Sequence, residues 1–407
     1  MRSKLHFTSD VGLFLLLLVV LLCSSAQVRA ADKKEIVIGM PIPLTGGLAM
    51  GGSEQKWAYA QAVKDINAKG GIFVKQYNKK LLVRVVIADA ESDGIQATAA
   101  LERLVKVDKI DLLLSTFTTN LVLPTSVAAE KLKVYVPQTT CLFEPWRQQN
   151  FKWSTLYFFE TAQAGEVPFQ VLDTIPVGHR PKKLALLMED SLDGRAFGPF
   201  FRAGAKKHNY EIAFDEPLPV GARGYSSLML KLKSRGIDGA ILFAPSADCV
   251  TFVRDMKNEG LSLKYLHGYK GTWAPDFYKA LGKDAQYVLA DGFWHEDFPY
   301  PMAKELGARY KKETGKHSAS IGLFYSLAQQ LFTAIEKAGT LDNAKVRDAV
   351  LSTPFKGTAM GDVKYSPDGT AILQLCAYQW WNGELKVVYP FFKGGWQVKV
   401  APPWDQR

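Results

Sequence analysis

The apolar positions of this chain alternate between short continuous runs and helical spacing. Residues 81–88 form an apolar run broken only by Arg84, as in a buried strand. The next stretch places apolar residues on one helix face: Ala97, Ala100, Leu101, Leu104 and Val105. A second apolar run at 112–114 predicts the next strand. This order of strand, helix and strand predicts a parallel sheet covered by helices.

The first strand and helix come earlier, with a strand at 35–41. We expect Ser53 to be the N-cap of the helix that follows and Gly70 to end it. The face of this helix is predicted from four apolar side chains: Tyr59, Ala62, Val63 and Ile66. The chain therefore begins its folded part with a strand, a turn and a helix.

The same alternation restarts after Arg180. The predicted strands are 184–188, 212–214, 240–244 and 264–266, and the predicted helices are 196–207, 225–235 and 248–259. Two separate series of this kind predict two α/β lobes.

The last hundred residues change character. Helices are predicted at 302–313, 320–338 and 343–351, and strands at 363–365 and 372–380. Asn382-Gly383 then favours a tight hairpin turn between an aromatic strand end and a strand at 385–389. We expect this tail to complete the lobes already begun.

Length and charge limit the class of protein. A chain of 407 residues predicts about two domains. The net charge of +10 comes from basic residues interspersed with acidic ones, so we expect no nucleic-acid partner. Cys141, Cys249 and Cys376 are too widely spaced for a disulfide framework, although one disulfide pair stays an alternative.

The N-terminus has the pattern of an export signal, predicted to span residues 1–30. Arg2 and Lys4 precede an apolar run at 11–22, which is shorter than the roughly 20 residues of a membrane-spanning helix. We expect cleavage near Ala30 and a periplasmic protein. Lipidation at Cys23 is an alternative that the preceding Leu22 disfavours.

Enzyme motifs are absent from the sequence. There is no G-x-S-x-G elbow, no phosphate-binding P-loop and no cysteine/histidine metal spacing. His295-Glu296 lacks the second histidine of a zinc-protease motif. We therefore predict a protein that is not an enzyme and that holds no cofactor or metal.

Several short segments carry a resemblance to a known family, in order and with matching spacing. They are Leu44-Thr45-Gly46, 65–71, Pro124-Thr125-Ser126, Ala129-Glu130-Lys131, 137–140, Glu189-Asp190, Lys337-Ala338-Gly339-Thr340 and 361–365. Over nearly the whole mature length, the chain resembles the periplasmic solute-binding proteins of ABC transporters, in the branched-chain amino acid (leucine/isoleucine/valine-binding) family.

The resemblance implies a two-lobed type I periplasmic-binding-protein fold, α/β, with a mostly parallel sheet in each lobe and three hinge crossovers. The predicted first lobe comprises 31–151 and 291–365, and the second comprises 152–290 and 366–407. It also implies closure on a small ligand and delivery to ABC permease and ATPase subunits. We expect the chain to be a monomer.

The resemblance places a carboxylate site in the first lobe. Phe117, Thr118, Thr119 and Asn120 match the segment that holds the ligand carboxylate at a helix N-terminus, with Thr119 at the usual serine position. A capping role for these threonines is the alternative. The second matching loop supplies Gln138, Thr139 and Thr140. We therefore predict that the ligand is a carboxylate.

The departures from the family pattern concern the rest of the pocket. Lys270 stands where amino-acid binders place an acidic residue for the ligand ammonium, and Asp193 stands at a usual tyrosine position. Lys270 is expected to repel an ammonium and attract an anion, unless its side chain turns to solvent. Pro245 occupies an aromatic position, and Leu48 lies in a loop that lacks the usual tryptophan.

Aromatic side chains near the predicted lobe edges complete the candidate pocket. Phe159, Tyr269 and Trp273 join Phe117 as possible apolar walls. We therefore predict an importer subunit for an aromatic or other non-amino carboxylate. The alternatives are a branched-chain or other amino acid ligand and a periplasmic sensor that signals to a partner instead of a permease.

Overall fold

The computed structural model of this chain describes residues 33–391 and 395–407. The predicted export signal and Cys23 lie outside these residues. The helices are α1 Ala49–Ala68, α2 Gly94–Lys106, α3 Thr119–Leu132, α4 Phe143–Arg147, α5 Thr161–Asp173, α6 Leu192–Lys207, α7 Ser226–Ser234, α8 Ser246–Asn258, α9 Pro275–Leu281, α10 Ala303–Thr314, α11 Ile321–Ala338 and α12 Asn343–Ser352.

The strands are β1 Glu35–Ile42, β2 Ile72–Val74, β3 Lys79–Asp89, β4 Leu112–Leu113, β5 Val136–Thr139, β6 Ser154–Phe158, β7 Leu184–Glu189, β8 Ile212–Leu218, β9 Gly239–Ala244, β10 Tyr265–Lys270, β11 Leu289–Gly292, β12 Phe355–Thr358, β13 Gly361–Val363, β14 Thr370–Ile372, β15 Cys376–Trp381 and β16 Glu384–Tyr389. Most follow helices in the alternation expected from the apolar pattern.

The first lobe contains two sheets that lead to the site, besides the two-stranded antiparallel pair of β12 and β13. One has the strand order β2-β3-β1-β4, in which β1 pairs in parallel with both β3 and β4. The other has the order β14-β6-β5 and is parallel throughout. The carboxyl ends of β4 and β5 lead to the two threonine-containing loops identified in the sequence.

The second lobe is built on one seven-stranded sheet with the order β16-β15-β11-β10-β9-β7-β8. Its five strands from β11 to β8 are parallel, whereas β15 and β16 run antiparallel at one edge. Parallel sheets with packed helices in both lobes confirm the predicted α/β fold class.

The chain passes between the lobes three times: after β6, after β11 and between β14 and β15. The predicted lobe boundaries stay a prediction, but the strand pairings favour different ones. β6 and β14 pair in the sheet of β5, although the sequence placed both in the second lobe. We therefore propose that the crossovers begin near Phe159, Phe293 and Leu373, because each follows the last paired residue of its strand.

Helix α1 begins earlier than predicted, at Ala49 instead of after Ser53. Two glycines make the additional turn possible. A Cβ on Gly51 would lie 2.3 Å from the Phe117 ring, and a Cβ on Gly52 would lie 1.7 Å from the Pro43 carbonyl oxygen. The close approach of α1 to these groups therefore needs glycine at both positions.

The predicted strand at 372–380 is wrong as a single element. Its first part belongs to β14 and its second part is β15, which lie in different sheets. The chain crosses between the lobes at this point, so an apolar run does not correspond to one strand. The hairpin of β15 and β16 is confirmed, with positive φ angles of 51° at Asn382 and 84° at Gly383.

Two further features concern thiols and membranes. Cys141, Cys249 and Cys376 are buried free thiols, so the alternative of a disulfide pair among them is not adopted in this structure. Among residues 33–391 and 395–407, no helix has both the length and the apolar character needed to span a bilayer.

Candidate functional site

A cavity of about 220 Å³ lies between the two lobes. The first-lobe side is formed by α1 and the loops after β4 and β5, and the second-lobe side by α6 and the ends of β9 and β10. Phe158, Phe159 and Phe293, which lie at the crossovers, form another part of the wall. Its lining residues are Gly47, Leu48, Met50, Gly51, Phe117, Thr118, Thr119, Thr140, Leu142, Phe158, Phe159, Asp193, Phe197, Phe243, Pro245, Ser246, Tyr269, Lys270, Trp273, Asp291 and Phe293.

Threonine side chains make the first-lobe end of the cavity polar. Thr118 and Thr140 both have positive φ angles, 65° and 54°, at the points where the loops leave β4 and β5. The Thr118 amide donates to Thr140 Oγ1 at 3.1 Å, which ties the two loops together. Such backbone conformations are costly for β-branched residues and cluster at functional sites.

The start of α3 offers donors to an anion. Within the described residues, the Thr119 and Asn120 amides make no hydrogen bond, because the first helical amides lack partners. Thr118 Oγ1 is buried and has no hydrogen-bond partner in the described part of the chain. Thr118 makes no side-chain capping bond, so the capping alternative finds no support at this residue. This end of the cavity can hold a carboxylate.

Lys270 differs from its predicted role, because it is already paired with two carboxylates. Its Nζ donates to Glu189 Oε1 at 2.6 Å and to Asp193 Oδ2 at 3.1 Å. Burial lowers the pKa of Lys270, but its attraction to Asp193 and Glu189 outweighs that effect, so the pKa is raised. Lys270 lines the cavity instead of turning to solvent, yet it is not a free cation awaiting an anionic ligand.

The carboxylates around Lys270 retain unused oxygen atoms. Asp193 Oδ1 and Glu189 Oε2 are buried and accept no hydrogen bond from the described residues. Asp291 accepts the Lys270 amide through Oδ1 at 3.1 Å. Burial raises the pKa of Asp291 to about 7. The second-lobe end of the cavity is therefore rich in hydrogen-bond acceptors.

Aromatic rings form most of the remaining wall. Phe159 and Phe293, on two crossovers, stack with centroids 5.7 Å apart, and Phe158 contacts Phe293 at 4.9 Å. In the second lobe, Phe197 and Phe243 lie 4.7 Å apart. A planar or branched apolar group of a ligand would find a rigid, apolar surface here.

The structure brings ten of the thirteen predicted site residues to this cavity: Leu48, Phe117, Thr118, Thr119, Thr140, Phe159, Asp193, Pro245, Tyr269 and Lys270. Asn120, Gln138 and Thr139 do not line it. Gln138 is buried and bonds Thr125 and Ser126, while the Thr139 hydroxyl donates to the Tyr157 carbonyl. Whether any of these residues contacts a ligand stays a prediction.

Several cavity residues were missed from the sequence, including Phe158, Phe197, Phe243, Asp291 and Phe293. A usable signal existed for three of them. Phe158 and Phe243 lie at or next to the carboxyl ends of parallel strands, and Phe293 follows β11 directly. In parallel sheets, ligands bind outside the carboxyl ends of the strands, so aromatic residues there are pocket candidates.

Comparisons with known proteins agree with this architecture. Residues 35–384 match the family described as periplasmic binding protein. A Leu/Ile/Val-binding protein homolog 2 of Brucella abortus (strain 2308) is 24% identical over 90% of this chain and 95% of its own length.

Solved structures show the same fold. A leucine binding protein from Thermotoga maritima has a TM-score of 0.75 at 20% identity, covering 86% of this chain and 97% of its own. A solute binding protein of an ABC transporter from Rhodopseudomonas palustris BisB5, in complex with 3,4-dihydroxy benzoic acid, has a TM-score of 0.70 at 20% identity, covering 87% and 95%.

The two lobes, the cavity between them and the match over most of the chain lead to one classification: this chain belongs to the periplasmic binding protein family. It is therefore a periplasmic-type solute-binding protein, and its curated relatives are named as Leu/Ile/Val-binding protein homologs.

Proposed function

We propose that this chain is the extracytoplasmic solute-binding subunit of an ABC importer and captures a small carboxylate with an aromatic or other apolar body. The ligand carboxylate binds the Thr119 amide and the Thr118 and Thr119 hydroxyls, beside the Thr140 loop. The ligand body packs between the Phe159/Phe293 stack and the second-lobe rings. Closure of the lobes then presents the loaded protein to a permease, and a separate ATPase supplies the energy.

One observation carries the proposal: a cavity between the lobes has anion donors at one end and eight aromatic side chains along its walls. Those side chains are Phe117, Phe158, Phe159, Phe197, Phe243, Tyr269, Trp273 and Phe293. Aromatic walls with a few convergent polar groups are typical of small-molecule sites. The structural neighbour crystallised with a dihydroxybenzoate supports an aromatic carboxylate as one ligand class.

An amino acid ligand is the second candidate. Asp193 Oδ1 is an unpartnered acceptor that could receive a ligand ammonium. The Leu/Ile/Val-binding names of curated relatives also favour this class. Against it, such an ammonium would share Asp193 with the Lys270 ammonium, which already donates to the other oxygen at 3.1 Å.

The proposed location and partners follow the family. The predicted signal at residues 1–30 and a periplasmic site of action fit an importer that collects ligands outside the cytoplasm. A sensor subunit would bind its ligand in the same way but signal to another partner. Transport of the bound ligand into membrane vesicles that contain a partner permease and ATPase would separate these two uses.

Isothermal titration of the chain from Ala31 onward tests the ligand class. The panel comprises benzoate, phenylacetate, 3-phenylpropanoate, leucine, valine and phenylalanine. We expect one or more aromatic acids to bind at micromolar Kd, and a saturating acid to raise the melting temperature. At 1,000 times Kd, ligand binding adds about 4 kcal/mol to the free energy of unfolding.

Two results would contradict parts of this proposal. Binding of leucine or valine, with no response to the aromatic acids, would replace the non-amino carboxylate with an amino acid. Absence of binding to every carboxylate in the panel would contradict the carboxylate site itself.

A further inference from the structure

The second-lobe end of the cavity holds a charged group with both donor and acceptor capacity left over. Asp193 lies in the first turn of α6 and Lys270 at the end of β10, and both line the cavity. Their ion pair uses Asp193 Oδ2 and leaves Asp193 Oδ1 buried without a partner in the described part of the chain. A buried carboxylate oxygen in this state needs a hydrogen-bond donor.

Lys270 presents the complementary group. An ammonium carries three N–H donors, and the hydrogen bonds to Glu189 and Asp193 account for two of them. The third has no acceptor among the described residues, and Lys270 lines the cavity. A ligand group beside this pair would therefore have to donate a hydrogen bond to Asp193 and accept one from Lys270.

A hydroxyl meets both requirements, whereas an ammonium meets only one. A hydroxyl has one O–H donor and two acceptor lone pairs. An ammonium has no acceptor and would lie beside a second cation. Glu189 and Asp193 carry two negative charges against the single positive charge of Lys270, so the net charge alone would also favour a ligand ammonium. The affinities of hydroxyl and ammonium ligands must therefore be compared directly.

We infer that Asp193 and Lys270 together recognise a ligand hydroxyl, so that the solute is a hydroxy-substituted aromatic carboxylate. This inference rests on the proposed carboxylate-binding function and deepens it. In the bound state, the ligand hydroxyl donates to Asp193 Oδ1 and accepts from Lys270 Nζ, while the ligand carboxylate occupies the threonine loops of the first lobe.

Two matched ligand series test the inference by isothermal titration. The first comprises 3-phenylpropanoate, 3-phenyllactate and phenylalanine, which differ only in hydrogen, hydroxyl or ammonium on one carbon. The second comprises benzoate, 3-hydroxybenzoate and 4-hydroxybenzoate. With the wild-type chain, we expect the hydroxyl to tighten binding about tenfold or more in at least one series, because hydrogen bonds to charged groups are strong.

In Asp193→Ala, the affinity gain from the hydroxyl, measured against the unsubstituted acid in the same variant, should fall to less than about threefold. Lys270 keeps its hydrogen bond to Glu189 in this variant, which preserves one neutral pair. Asp190→Ala is the matched control. Asp190 precedes α6, pairs with Arg195 at the surface and does not line the cavity, so the gain should persist in that variant.

Melting temperatures of the free variants check that each protein is folded. If Asp193→Ala is unstable, Asp193→Leu fills the same space without an acceptor and should also abolish the gain. Equal hydroxyl gains in the Asp193 and Asp190 variants would overturn the inference. So would tightest binding by phenylalanine within its series. If the wild-type chain binds none of the acids, the proposed function is contradicted, and so is the inference that rests on it.

Discussion

At the scale of single residues, Thr118 illustrates a conflict between stability and binding. Its hydroxyl is buried without a partner in the described residues, which costs free energy in the unliganded protein. Thr118→Val keeps the branched shape and removes that unsatisfied atom. We expect the free energy of unfolding of this variant to be about 1 kcal/mol larger than that of the wild type, because the unsatisfied hydroxyl is gone. We also expect the variant to bind carboxylates about tenfold more weakly.

Thr116 provides the matched control, because its hydroxyl is also buried without a partner in the described chain but does not line the cavity. Thr116→Val should gain similar stability without any loss of affinity. Urea unfolding and isothermal titration on the three proteins measure both effects. Unchanged affinity in Thr118→Val would exclude its hydroxyl as a ligand contact.

Asp291 predicts a pH dependence of stability. Burial raises its pKa from 3.8 to about 7, so the folded protein keeps this carboxyl protonated where the unfolded chain has lost the proton. Since the folded state then binds more protons, stability attributable to Asp291 falls as pH rises from about 4 to about 7. Asp291→Asn removes that titration and retains an oxygen acceptor for the Lys270 amide.

The variant should be more stable than wild type at pH 8, by roughly 2 kcal/mol or more, and should differ little at pH 4. Melting curves of both proteins between pH 4 and pH 8 measure the difference. A constant difference across this range would mean that Asp291 is not protonated in the folded protein near neutral pH.

The site could be predicted from the sequence only in part, for reasons visible in these residues. Thr118, Thr119 and Thr140 could be identified because the family resemblance points to the loops and the helix start that follow β4 and β5. The partners of Lys270 could not, because Glu189 and Asp193 are about eighty positions away and only the order of β10, β9 and β7 brings them near. Phe197 lies inside α6, away from any strand end, so it had no such signal.

At the scale of elements, close packing of α5 against α6 depends on glycines. A Cβ on Gly165 would lie 2.5 Å from the Phe200 carbonyl oxygen, and one on Gly204 would lie 2.1 Å from the Gly165 carbonyl oxygen. Backbone atoms cannot move aside as a flexible side chain does. Gly165→Ala should therefore destabilise the protein by about 1–3 kcal/mol, although alanine normally favours a helix.

Gly178→Ala is the control for this prediction, since nothing lies within 4 Å of the added Cβ and the φ angle is not positive. It should change stability by less than about 0.5 kcal/mol. Urea denaturation midpoints compare the two variants with wild type. A neutral or stabilising effect of Gly165→Ala would show that the two helices can separate at little cost.

Element boundaries show where local sequence patterns stop being sufficient. Periodicity identified α2, and the Asn382-Gly383 pair identified the hairpin of β15 and β16, because both depend on nearby residues. It failed at the start of α1, where the extra turn depends on the distant Phe117 ring, and at 372–380, where the chain changes lobes. Contacts that are remote in sequence decide both cases, and no local pattern records them.

At the scale of the whole molecule, the cavity and the crossovers share residues. Phe158, Phe159 and Phe293 line the cavity and also stand where the chain passes between the lobes. Met50 of the first lobe packs against the apolar core of the second. A ligand against these rings therefore contacts both lobes and the segments about which they turn, so binding and lobe position should be coupled.

This coupling predicts that a bound ligand makes the protein more compact. Ligand binding can favour the closed form only by its higher affinity for that form, so the radius of gyration should fall along the same curve as site occupancy. Small-angle scattering during a titration with a binding acid measures it. For Thr118→Val, the midpoint should move to about tenfold higher ligand concentration with the same final radius. Calorimetry shows when the site is saturated. If the radius of gyration at saturation equals that of the free protein, the lobes are already closed without ligand, and affinity depends on the pocket alone.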